Sequence, residues 1–244
     1  MRANEIRQSG LRPSSADVDR LWIVIPAYNE ESTIVEVVCA LHSSGYSNVC
    51  VVDDGSRDHT AYLARQARAH VLRHVINLGQ GAALQTGVSY ALENGAEYLC
   101  TFDADGQHSA DSVMDLMGAL LRANADVALG SRFMSTSVAI PRLRRFLLKS
   151  ALIFTKFHTH LNITDTHNGL RLFTRRAAQA ITIEQAAMAH ASEILQKIHS
   201  LSLPYVEVPV KVAYTDYSTA KGQSAFDFVK ILIDLLYHAI AERA

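Results

Sequence analysis

The chain has 244 residues, an apolar fraction of 49% and a formal net charge of −1. That length suits one large α/β domain or two small ones, and the apolar share is enough for a real core. The near-zero charge argues against a nucleic-acid partner, and the lack of any run of about 18 uncharged apolar residues argues against a membrane-spanning helix. Cys39, Cys50 and Cys100 fall in apolar runs with no C-x-x-C spacing. They are expected to be buried thiols in a reducing, cytoplasmic compartment.

Residues 1–20 are polar and lack the apolar centre of a signal peptide, so they are expected to be a mobile N-terminal extension. Leu21-Trp22-Ile23-Val24-Ile25 is a continuous apolar run, the pattern of a strand buried on both faces. Pro26-Ala27-Tyr28-Asn29-Glu30-Glu31 breaks it and opens a helix, whose first turn suits the acidic pair. A second buried strand over 48–52 ends in Asp53-Asp54-Gly55-Ser56. A helix over 58–69 and a short strand over 71–75 follow. Asn77-Leu78-Gly79-Gln80-Gly81 is a glycine-rich helix entry that misses the G-x-G-x-x-G spacing. Two readings stand for it: a phosphate-facing helix start, or glycines serving tight turning and close packing.

Ala96-Glu97-Tyr98-Leu99-Cys100 reads as the next strand, followed by Thr101-Phe102-Asp103-Ala104-Asp105-Gly106-Gln107-His108. Residues two apart on extended chain share a face, so Asp103 and Asp105 can point into one pocket. Two carboxylates so close repel unless a hard divalent cation sits between them, and Gln107 adds a neutral oxygen nearby. The bland alternative is a polar turn with an Asx-type cap. A helix over 110–124 and a strand over 126–130 complete a β-α-β-α-β-α-β-α-β pattern. This is an α/β doubly wound, mostly parallel sheet flanked by helices. The carboxyl ends of such strands are where ligands bind.

The second half is less regular. Residues 141–157 form a basic, strongly apolar helix, fit either for packing or for a membrane surface. A loop from Asp165 leads into a strand near Arg171, Met188 to Leu195 is helical, and 205–212 is a late strand. A polar loop carries Lys221. Residues 225–239 form a helix with one narrow polar stripe, so its wide apolar face needs cover from the domain, an oligomer partner or a membrane. His158, His160 and His167 fit no zinc spacing.

Val24-Ile25-Pro26-Ala27-Tyr28-Asn29-Glu30, Val52-Asp53-Asp54-Gly55-Ser56, Asn77-Leu78-Gly79, Asp103-Ala104-Asp105-Gly106-Gln107-His108 and Gly130-Ser131-Arg132-Phe133 occur in order. Together they resemble family 2 glycosyltransferases of the GT-A fold, nearest the dolichyl- or polyprenyl-phosphate mannose synthase-like branch. The resemblance covers about residues 21–224, leaving 225–244 as a C-terminal amphipathic helix. It implies an inverting sugar transfer from a GDP- or UDP-sugar to a polyprenyl phosphate or saccharide, with Mg²⁺ or Mn²⁺. It also implies roles: Pro26, Tyr28 and Glu30 hold the nucleoside, and Asp54 reads the base edge. Asp103, Ala104 and Asp105 hold ribose, diphosphate and metal, with Gln107 a further metal-site position. Arg132 lies near a phosphate, and Lys221 closes on the donor diphosphate.

A hydroxyl acceptor would need a general base. Asp165 resembles a family position near the acceptor. Glu193, set among apolar residues, is expected to have a raised pKa suited to base duty, unless it pairs with a cation such as Arg171. A phosphate acceptor would need no base. The mannose synthase-like resemblance comes without a C-terminal transmembrane pair, so either acceptor stands, and peripheral contact with the inner face of the plasma membrane is expected if the acceptor is a lipid. Two rival classes remain: a non-catalytic nucleotide-sugar binder, and a nucleotidyltransferase.

Overall fold

The computed structural model describes residues 13–134, 161, 163–166, 168–185 and 189–212. The expected helices over 141–157 and 225–239, the loop carrying Lys221, and His158, His160 and His167 lie outside the described residues.

Within the N-terminal extension, Ser15–Asp19 forms a short helix (α1), begun by a reciprocal Ser14–Asp17 capping box. Seven strands then build one sheet: β1 Leu21–Ala27, β2 Asn48–Asp53, β3 His70–Arg73, β4 Tyr98–Thr101, β5 Val127–Ser131, β6 Arg171–Thr174 and β7 Tyr205–Pro209, in the order β3-β2-β1-β4-β6-β5-β7. β3, β2, β1 and β4 run parallel, β6 is antiparallel to both its neighbours, and β7 returns parallel to β5. The mixed, mostly parallel sheet is the expected one.

Alternate residues of the buried strands feed two cores. Ile23, Ile25, Val49 and Val51 face α2 (Ile34–Ser43), α3 (Thr60–Gln66) and α5 (Asp111–Ala123). Trp22, Val24, Cys50 and Val52 face α4 (Gln80–Glu93), α6 (Arg175–Ala180) and α7 (His190–Ser200). This two-sided burial is why β1 and β2 are apolar without alternation. Each such Val, Leu or Ile taken fully from water contributes about 1.5–3 kcal/mol.

Two expectations are corrected. The third strand ends at Arg73, not at residue 75, and Val75 is almost fully exposed. Cys39 is exposed while Cys50 and Cys100 are buried. On α2 the core face is Ile34, Val37, Val38 and Leu41, and helical periodicity turns Cys39 outward. Chain direction places the site. β1 continues to β2 and β3 on one side, whereas β4 pairs on β1's other flank. The switch point is therefore the crevice beyond the ends of β1 and β4.

Candidate active site

The segments following β1 and β2 are laced into one rim. Asn29 adopts a left-handed φ of 53°, its N–H donates to Ser56 Oγ (2.9 Å), and its Oδ1 accepts from Arg57 N–H (2.9 Å). Glu30 N–H donates to Thr60 Oγ1 at 2.8 Å. Pro26 is the penultimate residue of β1 and is half-buried, Tyr28 is 39% exposed and Glu30 is half-buried at the same rim. The structure thus brings Pro26, Tyr28 and Glu30 to the end of β1.

Asp54 is 3% exposed, and both its oxygens are engaged. Oδ1 accepts from Leu78 N–H (2.9 Å) and lies 2.7 Å from His74 Nδ1, while Oδ2 accepts from Gly79 N–H (2.8 Å). His74 Nε2 in turn meets Thr86 Oγ1 at 3.0 Å. Asp54 therefore clamps the entry of α4 to the end of β2. The glycines of that entry serve packing. Gly79 caps the helix at φ 95°, a Cβ on Gly81 would strike the carbonyl of Gln185, and one on Gly87 would strike Val24. Between the two readings of this stretch, close packing is the one its contacts match.

Asp103 and Asp105 follow β4. Asp103 Oδ2 lies 3.0 Å from His108 Nε2, and the His108 ring meets Phe102 edge-on. Burial alone would raise the Asp103 pKa, but the His108 hydrogen bond and the charges of His108, His190 and Arg171 outweigh it and hold the carboxyl below its ordinary value. Asp105 goes the other way. Burial and the neighbouring Asp103 charge, with a smaller push from Glu30, raise its pKa against the Gln107 N–H that donates to its Oδ1 at 3.0 Å. One carboxylate is held by a histidine hydrogen bond, and the other bears the repulsion. That donor set fits a hard cation, with Asp105 as the group that gains most. Ala104 is buried between them, and Gln107 is half-buried just beyond. Among the described residues no three His, Cys, Asp or Glu side chains cluster as a preassembled metal site.

The opposite wall is the segment entering β6. Thr101 Oγ1 donates to the Gly169 carbonyl at 2.6 Å, and a Cβ on Gly169 would lie 2.5 Å from Asp103 Oδ1 and 2.7 Å from its Cγ. In the sequence Gly169 is one residue of the loop that leads from Asp165 into β6. The contact runs between residues 66 positions apart, and no local signal announces it. Asn168 Oδ1 accepts from Leu170 N–H at 2.9 Å. Arg171 is buried and donates to the carbonyls of Asn168, Thr166 and Ala191, and burial pushes its pKa down to about 10.

Both carboxylates expected as candidate bases are otherwise engaged. Asp165 receives Arg132 as a fork, Nε at 2.7 Å and Nη2 at 2.8 Å, and also accepts the Arg132 backbone N–H. The loop holding Asp165 is tied down by Glu207 Oε1, which accepts from Thr164 N–H at 2.7 Å. Arg132 is thereby aimed by Asp165 at the end of β5. Glu193 accepts from the N–H groups of Glu184 and Gln185 (both 2.9 Å) and pairs with Lys197 at 2.9 Å. Its expected raised pKa is corrected. Burial pushes it up, but these two amides and Lys197 together bring it below its ordinary value. Its cation is Lys197 and not Arg171.

The profile of glycosyl transferase family 2 matches residues 22–182. The chain belongs to this family and is a glycosyltransferase. Over 237 residues it is 30% identical to a UDP-N-acetylglucosamine–dolichyl-phosphate N-acetylglucosaminyltransferase of Methanococcus voltae, covering 88% of this chain and 94% of that protein. It is 28% identical to a polyprenol monophosphomannose synthase of Mycolicibacterium smegmatis, over 88% of this chain and 86% of that one. The glucosyl-3-phosphoglycerate synthase of Mycobacterium tuberculosis, crystallised with Mn²⁺, uridine-diphosphate-glucose and phosphoglyceric acid, superposes with a TM-score of 0.67 at 16% identity, covering 92% of this chain and 80% of that chain. The GT-A fold is thus shared. Among the described residues no helix is long and apolar enough to cross a membrane.

Proposed function

We propose that this glycosyltransferase moves one sugar from a nucleoside-diphosphate donor, a UDP- or GDP-sugar, to a polyprenyl phosphate. The observation that carries the choice of acceptor is the state of Asp165 and Glu193. Asp165 is forked by Arg132, and Glu193 is held by two backbone amides and Lys197. Neither is poised to take a proton from a sugar hydroxyl. A phosphate monoester oxygen is already anionic and needs no base. The names of the Methanococcus and Mycolicibacterium relatives, which refer to lipid phosphates or polyprenols, support the same acceptor.

In this reading the acceptor phosphate oxygen attacks the anomeric carbon from the face opposite the diphosphate. The bond to the diphosphate breaks, the configuration inverts, and the nucleoside diphosphate leaves. Asp103, Asp105 and Gln107 would hold Mg²⁺ or Mn²⁺, which supplies positive charge to the departing diphosphate. Arg132, aimed by Asp165, faces the phosphates as a fixed cation. Pro26, Tyr28 and Glu30 line the nucleoside side. Asp54 supports that side by clamping the Leu78–Gly79 turn, and any contact of its own with the base must share its oxygens with that clamp. Lys221 would close on the diphosphate. A membrane-peripheral position follows from a lipid-borne acceptor, and a cytoplasmic leaflet is the side we propose.

The test uses the purified chain with UDP-N-acetylglucosamine, UDP-glucose or GDP-mannose, with and without Mn²⁺, and with undecaprenyl phosphate or free saccharides. Metal-stimulated sugar transfer to the lipid phosphate is expected. Transfer only to saccharides would overturn the acceptor, and pyrophosphate release from a nucleoside triphosphate would place the chain among nucleotidyltransferases. Donor binding with neither transfer nor hydrolysis would make it a binder.

A further inference from the structure

Asn168 is 4% exposed, and its two amide atoms fare differently. Oδ1 accepts from Leu170 N–H, but Nδ2 is buried and has no hydrogen-bond partner among the described residues. A buried amide donor left without an acceptor has given up its hydration for nothing in return, which destabilises the fold. Buried polar groups are paired in nearly all folds, so an exception has a cause: strain, an ordered water or ion, or a role in binding and catalysis. The backbone that carries the amide is fixed on both sides. The next residue, Gly169, has its Cα against the Asp103 carboxylate, and its carbonyl is held by Thr101 Oγ1. On the other side, the Asn168 carbonyl is fixed by Arg171 Nε at 3.1 Å. The amide is therefore on a rigid support, one residue from the wall of the diphosphate site.

We infer that Asn168 is a specificity-determining residue that donates its Nδ2–H to a hydroxyl oxygen of the transferred sugar. This rests on the proposed reaction. A sugar joined to a diphosphate held at Asp103 and Asp105 lies beside that wall. A neutral carboxamide suits a neutral hydroxyl, whereas an acceptor phosphate is drawn to cations such as Arg132. A site built to hydrogen-bond a substrate hydroxyl discriminates against the analogue that lacks it, because its own buried donor is then unpaired. The orphaned donor here is one that substrate would complete.

The experiment is a cycle between protein and substrate. Wild type and Asn168→Ala are assayed with the nucleotide sugar that wild type turns over and with its monodeoxy analogues, using undecaprenyl phosphate as acceptor. With the parent donor, kcat/KM should fall on the order of 10–10²-fold in the variant. With one monodeoxy donor, variant and wild type should be equal within twofold. Asn168→Asp keeps the oxygen that accepts from Leu170 N–H and removes the donors, so it serves if Asn168→Ala fails to fold. It should show the same loss of discrimination at the same hydroxyl. An equal drop with every monodeoxy donor would mean the amide serves the loop or a water molecule, and the inference fails. If wild type transfers no sugar to the lipid phosphate from any of the three donors, the proposed function fails instead.

Discussion

The Asp103 carboxylate lies directly against the Cα of Gly169, so closely that the site has no room for a side chain there. His108 holds the same carboxylate from its other side. Gly169→Ala would force either the β6 entry or Asp103 to shift. Overpacking of this kind costs about 1–3 kcal/mol. Because the atom displaced belongs to the proposed diphosphate site, we expect kcat to drop on the order of 10²-fold with a melting temperature only a few degrees lower. Steady-state kinetics beside a thermal melt checks this. Unchanged kcat in a folded variant would show that the close approach has no bearing on turnover.

Asp105 carries the repulsion at the site. Asp105→Asn removes that charge while keeping an oxygen for Gln107 N–H. The variant should fold as well as wild type, lose 10²–10³-fold in transfer rate, and show no thermal stabilisation by millimolar Mn²⁺, whereas wild type does. A Mn²⁺ response of wild-type size in the variant would remove Asp105 from the cation site.

Arg132 and Asp165 form a buried fork, with side chains 11% and 1% exposed. Asp165→Asn leaves the guanidinium without its counter-charge, which costs about 3–5 kcal/mol when a buried pair loses one partner. Transfer should weaken because Arg132 is no longer aimed. The acidic limb of the pH–rate profile should stay where it is, since in the proposed mechanism Asp165 is not a base. Disappearance of that limb would restore Asp165 to base duty.

Glu193 offers a pH test of stability. Its folded pKa lies below its unfolded value, so it contributes stability above the unfolded value of about 4.3, and that stability is lost as pH falls through the folded pKa. Glu193→Gln should cost about 1–3 kcal/mol at pH 7. Urea unfolding at pH 7 and pH 3.5 should show the gap between variant and wild type narrowing at the lower pH. A gap that is constant with pH would mean the carboxylate's charge plays no part in holding residues 184 and 185.

How much could be read in advance differs by element. The strands at 21–27, 48–53 and 127–131 are apolar because they are covered on both faces, and that is visible in the residues themselves. Val75, the expected last residue of the third strand, is misleading, since a β-branched residue followed by another, Ile76, suits a strand. They are exposed at 99% and 65%, past the end of β3. α6 was not anticipated. Its helix Arg175–Ala180 is six residues long, too short to show a period. Cys39 lies on the outward face of α2, whereas Cys50 lies on β2, which is covered on both faces.

The amino-acid sequence by itself determined the buried strands, the polar turns at their carboxyl ends and the spacing of Asp103 and Asp105, because these follow from local periodicity and from residue chemistry. Only the tertiary structure decided what each carboxylate is free to do. Asp54 is engaged by Leu78, Gly79 and His74, Asp165 by Arg132, and Glu193 by Lys197 and two amides. A carboxylate's role depends on the hydrogen bonds and charges around it. At Asp54 and Asp165 these come from residues 20 to 33 positions away, which no local pattern encodes, and at Glu193 from a segment whose fold back onto the helix the sequence does not announce.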